Sequence, residues 1–302
     1  MLSFRNASRP SRALLSFCVL IAAALFSPVN AKPKAVRLEP VTDWYMEWDE
    51  DSCVLSRGFG DSKDMSVLRF ERFSPGDQFQ LLITSSSLRN LRQQDRPVIQ
   101  FGSADAPVKL NRALVGKSED GRATLFISGI SLHGEIDEKI ALTSLSPITP
   151  EQEASIDKIS VHARRKLVVF ETASLGKPFE AMRDCTKDLI KLWGLDWDQQ
   201  SSLLRRLRPL TSPTAWLHGN DYPKDELMRG GQAIVNFRLT VDAQGIPTAC
   251  SIQRSYSREN GKFDKYTCNL LLQRARFEPA IDEGGRPVPS FYSNTVTWIV
   301  GP

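Results

Sequence analysis

The sequence predicts an α+β chain: a β-rich N-terminal domain closed by one helix, then a small domain in which an antiparallel sheet of about three strands carries two helices. Three observations carry this. Residues 233–241 alternate, with Val235, Phe237, Leu239 and Val241 on one face and Asn236, Arg238 and Thr240 on the other, the period of a half-buried strand. Short apolar segments separated by polar turns fill residues 44–171. Between Pro178 and Gly194, Phe179, Met182, Cys185, Leu189, Ile190 and Trp193 recur at helical spacing, opposite Glu180, Arg183, Asp184, Lys187 and Lys191.

Taken in order, the chain begins with Arg5, Arg9 and Arg12 flanking an apolar run from Ala13 to Phe26, and Val29-Asn30-Ala31 supplies small residues for cleavage. Residues 1–31 are therefore expected to be a cleavable signal peptide. The alternative is an uncleaved membrane anchor, for which the run would have to reach the roughly 17 to 20 residues of a span. Cys18 lies inside the run, not after it as a lipoprotein cysteine would.

Export changes the charge and cysteine readings. The chain carries 39 basic and 35 acidic side chains, and losing Arg5, Arg9 and Arg12 takes the net charge from +4 to near +1. Arg164-Arg165-Lys166 and Arg205-Arg206-x-Arg208 are the dense basic patches and read as solvated faces, so nucleic acid is not an expected partner. Four cysteines remain, an even number that points to disulfides in an exported chain. Cys250 and Cys268 are close in sequence within the terminal domain, so Cys53 and Cys185 are expected to tie an early strand to the closing helix. No metal or other cofactor is expected: there is no Cys-x-x-Cys, and His133, His162 and His218 lack ligand spacing.

Residues 38–195 form the first expected domain, an antiparallel sheet or small sandwich. Its strands are drawn at 44–48, 53–55, 67–70, 79–83, 98–101, 123–127, 159–162 and 166–171, with polar turns at 49–52, 58–64, 75–77 and 93–96. Asp49, Glu50 and Asp51 beside Cys53 read as a solvated turn. Residues 196–220 are expected to be a partly ordered linker. Leu203, Leu204 and Leu207 among arginines predict a short amphipathic helix, and Trp216-Leu217 is expected to pack onto the terminal domain.

Residues 221–302 form the second domain. After Tyr222-Pro223 comes a short helix, then the strand 233–241, a turn at Asp242-Ala243-Gln244-Gly245, a return strand at 246–253, a helix at 263–275 and a last strand at 290–300. No Gly-x-Ser-x-Gly, His-Glu-x-x-His, phosphate loop or dinucleotide fingerprint occurs, and no catalytic residue is assigned. A hydrolytic site spread over distant loops is the enzyme alternative.

Tyr222-Pro223, Gly231, Val241-Asp242 with Gly245, the segment Arg274 to Ala280, and Gly285 to Val288 occur in the order and spacing of one family. Over roughly residues 215–302 the chain resembles the C-terminal domain of the TonB energy-transducer family. The motif residues Tyr222, Pro223, Gly231, Gly245, Phe277, Pro279 and Ala280 are expected to be structural supports. The resemblance implies a periplasmic protein that binds a protein or peptide, such as the N-terminal segment of an outer-membrane receptor. An open sheet edge suits this task, since an extended peptide can add to it as a further strand. The last strand is the expected edge, with Ser290, Tyr292, Asn294, Val296 and Trp298 along it. Such an edge also allows a strand-exchanged homodimer.

Here the chain departs from the family. Residues 13–27 contain no histidine, and the connector at 196–220 is not a long proline-rich spacer. The inner-membrane motor complex is therefore not an expected partner, and an interaction protein without energy transduction is the alternative to a transport role.

Overall fold

The computed structural model describes residues 34–300 apart from 104–105, 112, 136–146 and 258–260. The expected signal peptide, the anchor alternative and residues 301–302 lie outside the described residues. The N-terminal half contains two sheets. One runs in the order β1 (Lys34–Leu38), β12 (Lys166–Phe170), β11 (Ile159–Ala163), β6 (Val98–Phe101), β7 (Val108–Lys109), with only β1 and β12 parallel. The other is antiparallel: β10 (Gly134–Glu135), β9 (Ala123–Ser131), β5 (Phe79–Thr84), β4 (Asp64–Arg72), β3 (Cys53–Asp61), β2 (Tyr45–Trp48), with β8 (Leu114–Lys117) also paired to β9.

Alternation along the strands builds the core. Leu68, Phe70, Leu81, Ile83, Leu125 and Ile127 from one sheet meet Ile99, Phe101, Val161 and Phe170 from the other. Edge-to-face pairs bridge the sheets, with Phe59 5.4 Å from Phe170 and Phe79 6.0 Å from Phe101. Helix α1 (Pro150–Ser155) opens with a capping box in which Thr149 and Gln152 exchange side-chain and backbone hydrogen bonds. Helix α2 (Gly176–Leu192) buries Phe179, Met182, Cys185, Leu189 and Ile190, each worth about 1.5–3 kcal/mol for the larger side chains. Gly194 follows at φ +75°, a left-handed residue just past the helix end. A disulfide joins Cys185 to Cys53 with Cα atoms 6.0 Å apart.

The turn expected at 58–64 is much shorter. Strand β3 continues to Asp61 and pairs through Phe59 with Ser66 of β4, so only Ser62 and Lys63 turn. The glycines that suggested a turn serve packing instead. A Cβ on Gly58 would lie 2.2 Å from the Met65 sulfur, while Phe59 between the glycines is fully buried.

Beyond α3 (Trp197–Ser201), the helix expected around Leu203 to Arg208 does not form. The segment is extended. β13 (Arg208–Pro209) pairs with β16 (Phe277–Glu278), Arg205 exchanges backbone hydrogen bonds with Ile281 at 3.2 and 2.8 Å, and Leu210 donates to the Arg276 carbonyl at 2.8 Å. Main-chain groups that a helix would have paired internally are satisfied by the terminal domain, and Pro209 would have ended a helix in any case. Trp216 packs onto that domain, 2% exposed.

The terminal domain is a three-stranded antiparallel sheet, β15 (Pro247–Ser257), β14 (Ala233–Val241), β19 (Ser290–Trp298), with α4 (Lys224–Arg229) and α5 (Lys262–Arg274). A small ribbon, β17 (Ala280–Ile281) with β18 (Pro287–Val288), precedes the last strand. Phe237, Leu239 and Val241 bury against Leu271, Ala275, Phe277 and Trp216. Val235 joins Phe263 and Trp298 in a second cluster. A disulfide between Cys250 and Cys268 fastens β15 to α5, Cα atoms 5.5 Å apart. The architecture is the α+β one that the strand and helix periods predict.

Candidate functional site

The other face of β14 is polar, and it is buried. Asn236 is 1% exposed and Arg238 9%. Asn236 meets the outward face of β5, whose inward residues Phe79, Leu81 and Ile83 fill the N-terminal core. Gln80 Nε2 donates to Asn236 Oδ1 at 2.6 Å, and the Arg238 guanidinium stacks 4.3 Å from the Trp193 ring. On β15, Arg254 Nε donates to Glu71 Oε1 at 2.9 Å and Tyr256 OH to Glu71 Oε2 at 3.1 Å. Gln253 Nε2 donates to the Phe73 and Asp51 carbonyls at 2.7 and 3.0 Å, and Phe126 meets Tyr256 edge-on at 5.3 Å. Burial, followed by the Glu71 charge, raises the Tyr256 hydroxyl above its ordinary range, which keeps it a donor. The two sheets thus meet through paired polar groups, and the described residues form one compact unit.

The acidic turn is solvated at Asp49 and Glu50 and also borders this seam. Asp49 Oδ2 accepts from Arg254 Nη2 at 3.1 Å, and Asp51 lies 3.9 Å from Arg238. Burial raises the Asp51 carboxyl, and the Arg238 charge opposes this.

Strand β19 ends the sheet: β14 is its only strand partner among the described residues. Its register against β14 sorts its side chains. Ser290, Tyr292, Asn294, Val296 and Trp298 stand opposite Val241, Leu239, Phe237, Val235 and Ala233, on the face that holds α5. Accordingly, Trp298 is 5% exposed and its indole donates to Thr267 Oγ1 at 3.0 Å, Tyr292 packs edge-on against Trp216 and tilted against Phe277, and Ser290 Oγ donates to Gln200 Oε1 at 2.7 Å. Asn294 Nδ2 donates to Tyr292 OH at 2.7 Å. These five residues define the strand, while Ser293, Thr295 and Thr297 stand opposite Arg238, Asn236 and Ile234 on the face toward the N-terminal sheet. The Thr295 N–H donates at 2.7 Å to the carboxamide oxygen of Asn294. Thr297 is exposed.

A cleft of about 440 Å³ separates this part of β19 from the N-terminal sheet. Ser293, Thr295 and Thr297 line one wall and Gln80, Ser128 and Leu114 another. At the other end of the strand, Phe291 packs 5.1 Å from Trp193. A larger cavity of about 1080 Å³ in the N-terminal half brings Arg89 and Arg92 beside Arg164, Arg165 and Lys166, joining the basic run to charges distant in sequence.

The motif residues act as scaffold. The Tyr222 hydroxyl donates to the Gly231 carbonyl, and its ring lies 5.5 Å from Trp298. Pro223 caps α4. A Cβ on Gly231 would meet Glu226 Oε2 at 2.4 Å. Gly245 has φ +80°, and a Cβ there would lie 2.0 Å from the Phe277 carbonyl oxygen. Pro279 offers its carbonyl to the Arg205 guanidinium at 3.2 Å, and Ala280 is fully buried. Arg274 clamps the connector to α5, donating to the Trp216 carbonyl at 2.9 Å and to Asp221 at 2.5 and 2.8 Å.

Among the described residues, no group of three or more His, Cys, Asp and Glu side chains is placed to hold a metal, and no helix is long and apolar enough to cross a membrane. A comparison with curated proteins gave no match. Residues 219–300, which contain the two helices and the three-stranded sheet, match the family described as Gram-negative bacterial TonB protein C-terminal.

Proposed function

We propose that this is a periplasmic protein that takes up an extended segment of a protein or peptide partner along β19, the partner being of the class of an outer-membrane receptor's N-terminal segment. The observation that carries this is the outer margin of β19, which pairs on one side only among the described residues and where Thr297 is exposed. An added strand would gain main-chain hydrogen bonds of tolerant register, with side-chain contacts supplying choice. The TonB C-terminal match supports an interaction role, and two disulfides suit an oxidising compartment. A holding role without force transduction is favoured by the seam at Glu71 and Arg254, which fastens the terminal sheet to its own N-terminal half.

The test is a photo-crosslinking residue at Thr297 in the full chain, expressed in cells, with exposed Lys265 on α5 as the control position. Adducts from Thr297 with the N-terminal segment of an outer-membrane receptor are expected. Adducts solely with a second copy would replace this assignment by a strand-exchanged dimer, and equal adducts from both positions would remove it.

A further inference from the structure

The cleft beside β19 is unusual in its chemistry. A quarter of the chain's residues are charged, 25% by composition, yet among the described residues no Asp, Glu, Lys or Arg lines it. Its walls are amides, hydroxyls and apolar groups, and its volume of about 440 Å³ falls among ligand pockets. Two buried polar atoms on opposite walls lack a partner in the protein, Gln80 Oε1 and Ser293 Oγ. Gln80 is 5% exposed. The orientation of its amide follows from its neighbours. Asn236 Nδ2 donates to the Arg254 carbonyl at 3.4 Å, which leaves Asn236 Oδ1 to accept from Thr295 Oγ1 at 2.7 Å and from Gln80 Nε2 at 2.6 Å. The Gln80 oxygen is thereby the end left over, a buried acceptor that calls for a donor.

We infer that this cleft selects the partner: a neutral polar segment, added along β19, places its side chains on that face between β19 and the N-terminal sheet and gives Gln80 Oε1 a hydrogen bond from an amide or hydroxyl. This rests on the strand-addition reading above and adds that the N-terminal half sets the specificity. A charged side chain entering the cleft would lose its hydration and find no counter-ion among the described lining residues. A neutral donor such as Asn, Gln, Ser or Thr meets both orphaned atoms.

A random nine-residue peptide library displayed on phage, panned against the full chain with its disulfides intact, tests this. Selected peptides are expected to exclude charged residues at alternate positions. They should bind a Ser128→Glu variant, altered only on the N-terminal wall, roughly tenfold more weakly, the expected effect of an unpaired carboxylate in the cleft. Repanning on Ser128→Glu should bring Lys or Arg into those positions, and Thr297→Glu, altered at an exposed site on the opposite wall, should do the same. Charged residues at their library frequency, or affinities for both variants within roughly twofold of the parent, would overturn the cleft assignment while leaving strand addition standing. Recovery of no binding peptide at all would remove both.

Discussion

Glu71, whose side chain is 1% exposed, is held by Arg254 at 2.9 Å across the seam between two sheets whose strands lie far apart in sequence. The same carboxylate accepts from Arg69 at 2.7 Å, Ser52 at 2.9 Å and Tyr256 at 3.1 Å. Its acceptor capacity is thus filled by donors from both halves of the molecule.

Removing the carboxylate therefore takes an acceptor from two guanidinium groups at once. Glu71→Ala is expected to cost about 2–4 kcal/mol, somewhat below the full penalty for breaking a buried pair because Arg254 retains 31% exposure. Urea unfolding measures the loss. Arg254→Ala in the Glu71→Ala background should add less than it does alone, because the interaction it would break has already gone. Full additivity would mean that the two residues act independently.

This seam marks where the sequence stopped being legible. A period of two in β14 tells that Asn236 and Arg238 share a face opposite Phe237 and Leu239, but not what covers that face. The cover is Gln80 over Asn236, and Trp193 with Asp51 beside Arg238, and the polarity of Gln80 and Asp51 likewise reads as exposure to water. Two polar faces that pair with each other look like two solvated ones until they are brought together. The apolar elements were readable because a hydrophobic row needs a core wherever that core lies. The connector was not, since Arg205 and Arg208 gain strand partners near Ile281 and Glu278 that local spacing cannot reveal. For the candidate site, the last strand could be drawn from its alternation, while the opposite wall of its cleft, Gln80 and Ser128, could not.

Gly245→Ala should be among the most damaging single changes in the terminal domain. Positive φ alone costs a residue with a side chain about 1–3 kcal/mol, and the Phe277 carbonyl 2.0 Å from the new Cβ cannot yield easily, because the Phe277 N–H is bonded to the Gly245 carbonyl at 3.0 Å. Thermal unfolding should show a fall of several degrees, at roughly 2–4 °C per kcal/mol for a chain of this size. Gly121→Ala, also at positive φ but with open space around it, serves as the control and should fall less.

Asp221 gives the fold an acid limit. The Arg274 guanidinium, with the His218 N–H second, holds its carboxyl down to about 2 from an ordinary 3.8. A carboxyl depressed by folding stabilises the protein fully above its unfolded value, and that contribution is lost as pH falls from about 4 through about 2. Asp221→Asn should lower stability at neutral pH and flatten the stability profile across that window. An unchanged acid limb in the variant would show that other carboxylates govern it.

The two disulfides should differ in worth in the direction of their loops. Cys53–Cys185 closes 132 residues and Cys250–Cys268 closes 18. Loop-closure entropy makes the first worth about 5 kcal/mol and the second about 3, provided that the native geometry relaxes equally once each is removed. The Cys53→Ala/Cys185→Ala double variant should therefore lose more stability in denaturant than Cys250→Ala/Cys268→Ala. The long link also holds α2, which carries Trp193 on the seam against Arg238 and Phe291, so its loss should loosen the contact between the halves. Amide exchange in β15 would then quicken in the first variant, even though no residue of β15 has been changed. The opposite ranking would mean that β15 and α5 depend on their own bridge more than on their seat against the N-terminal sheet.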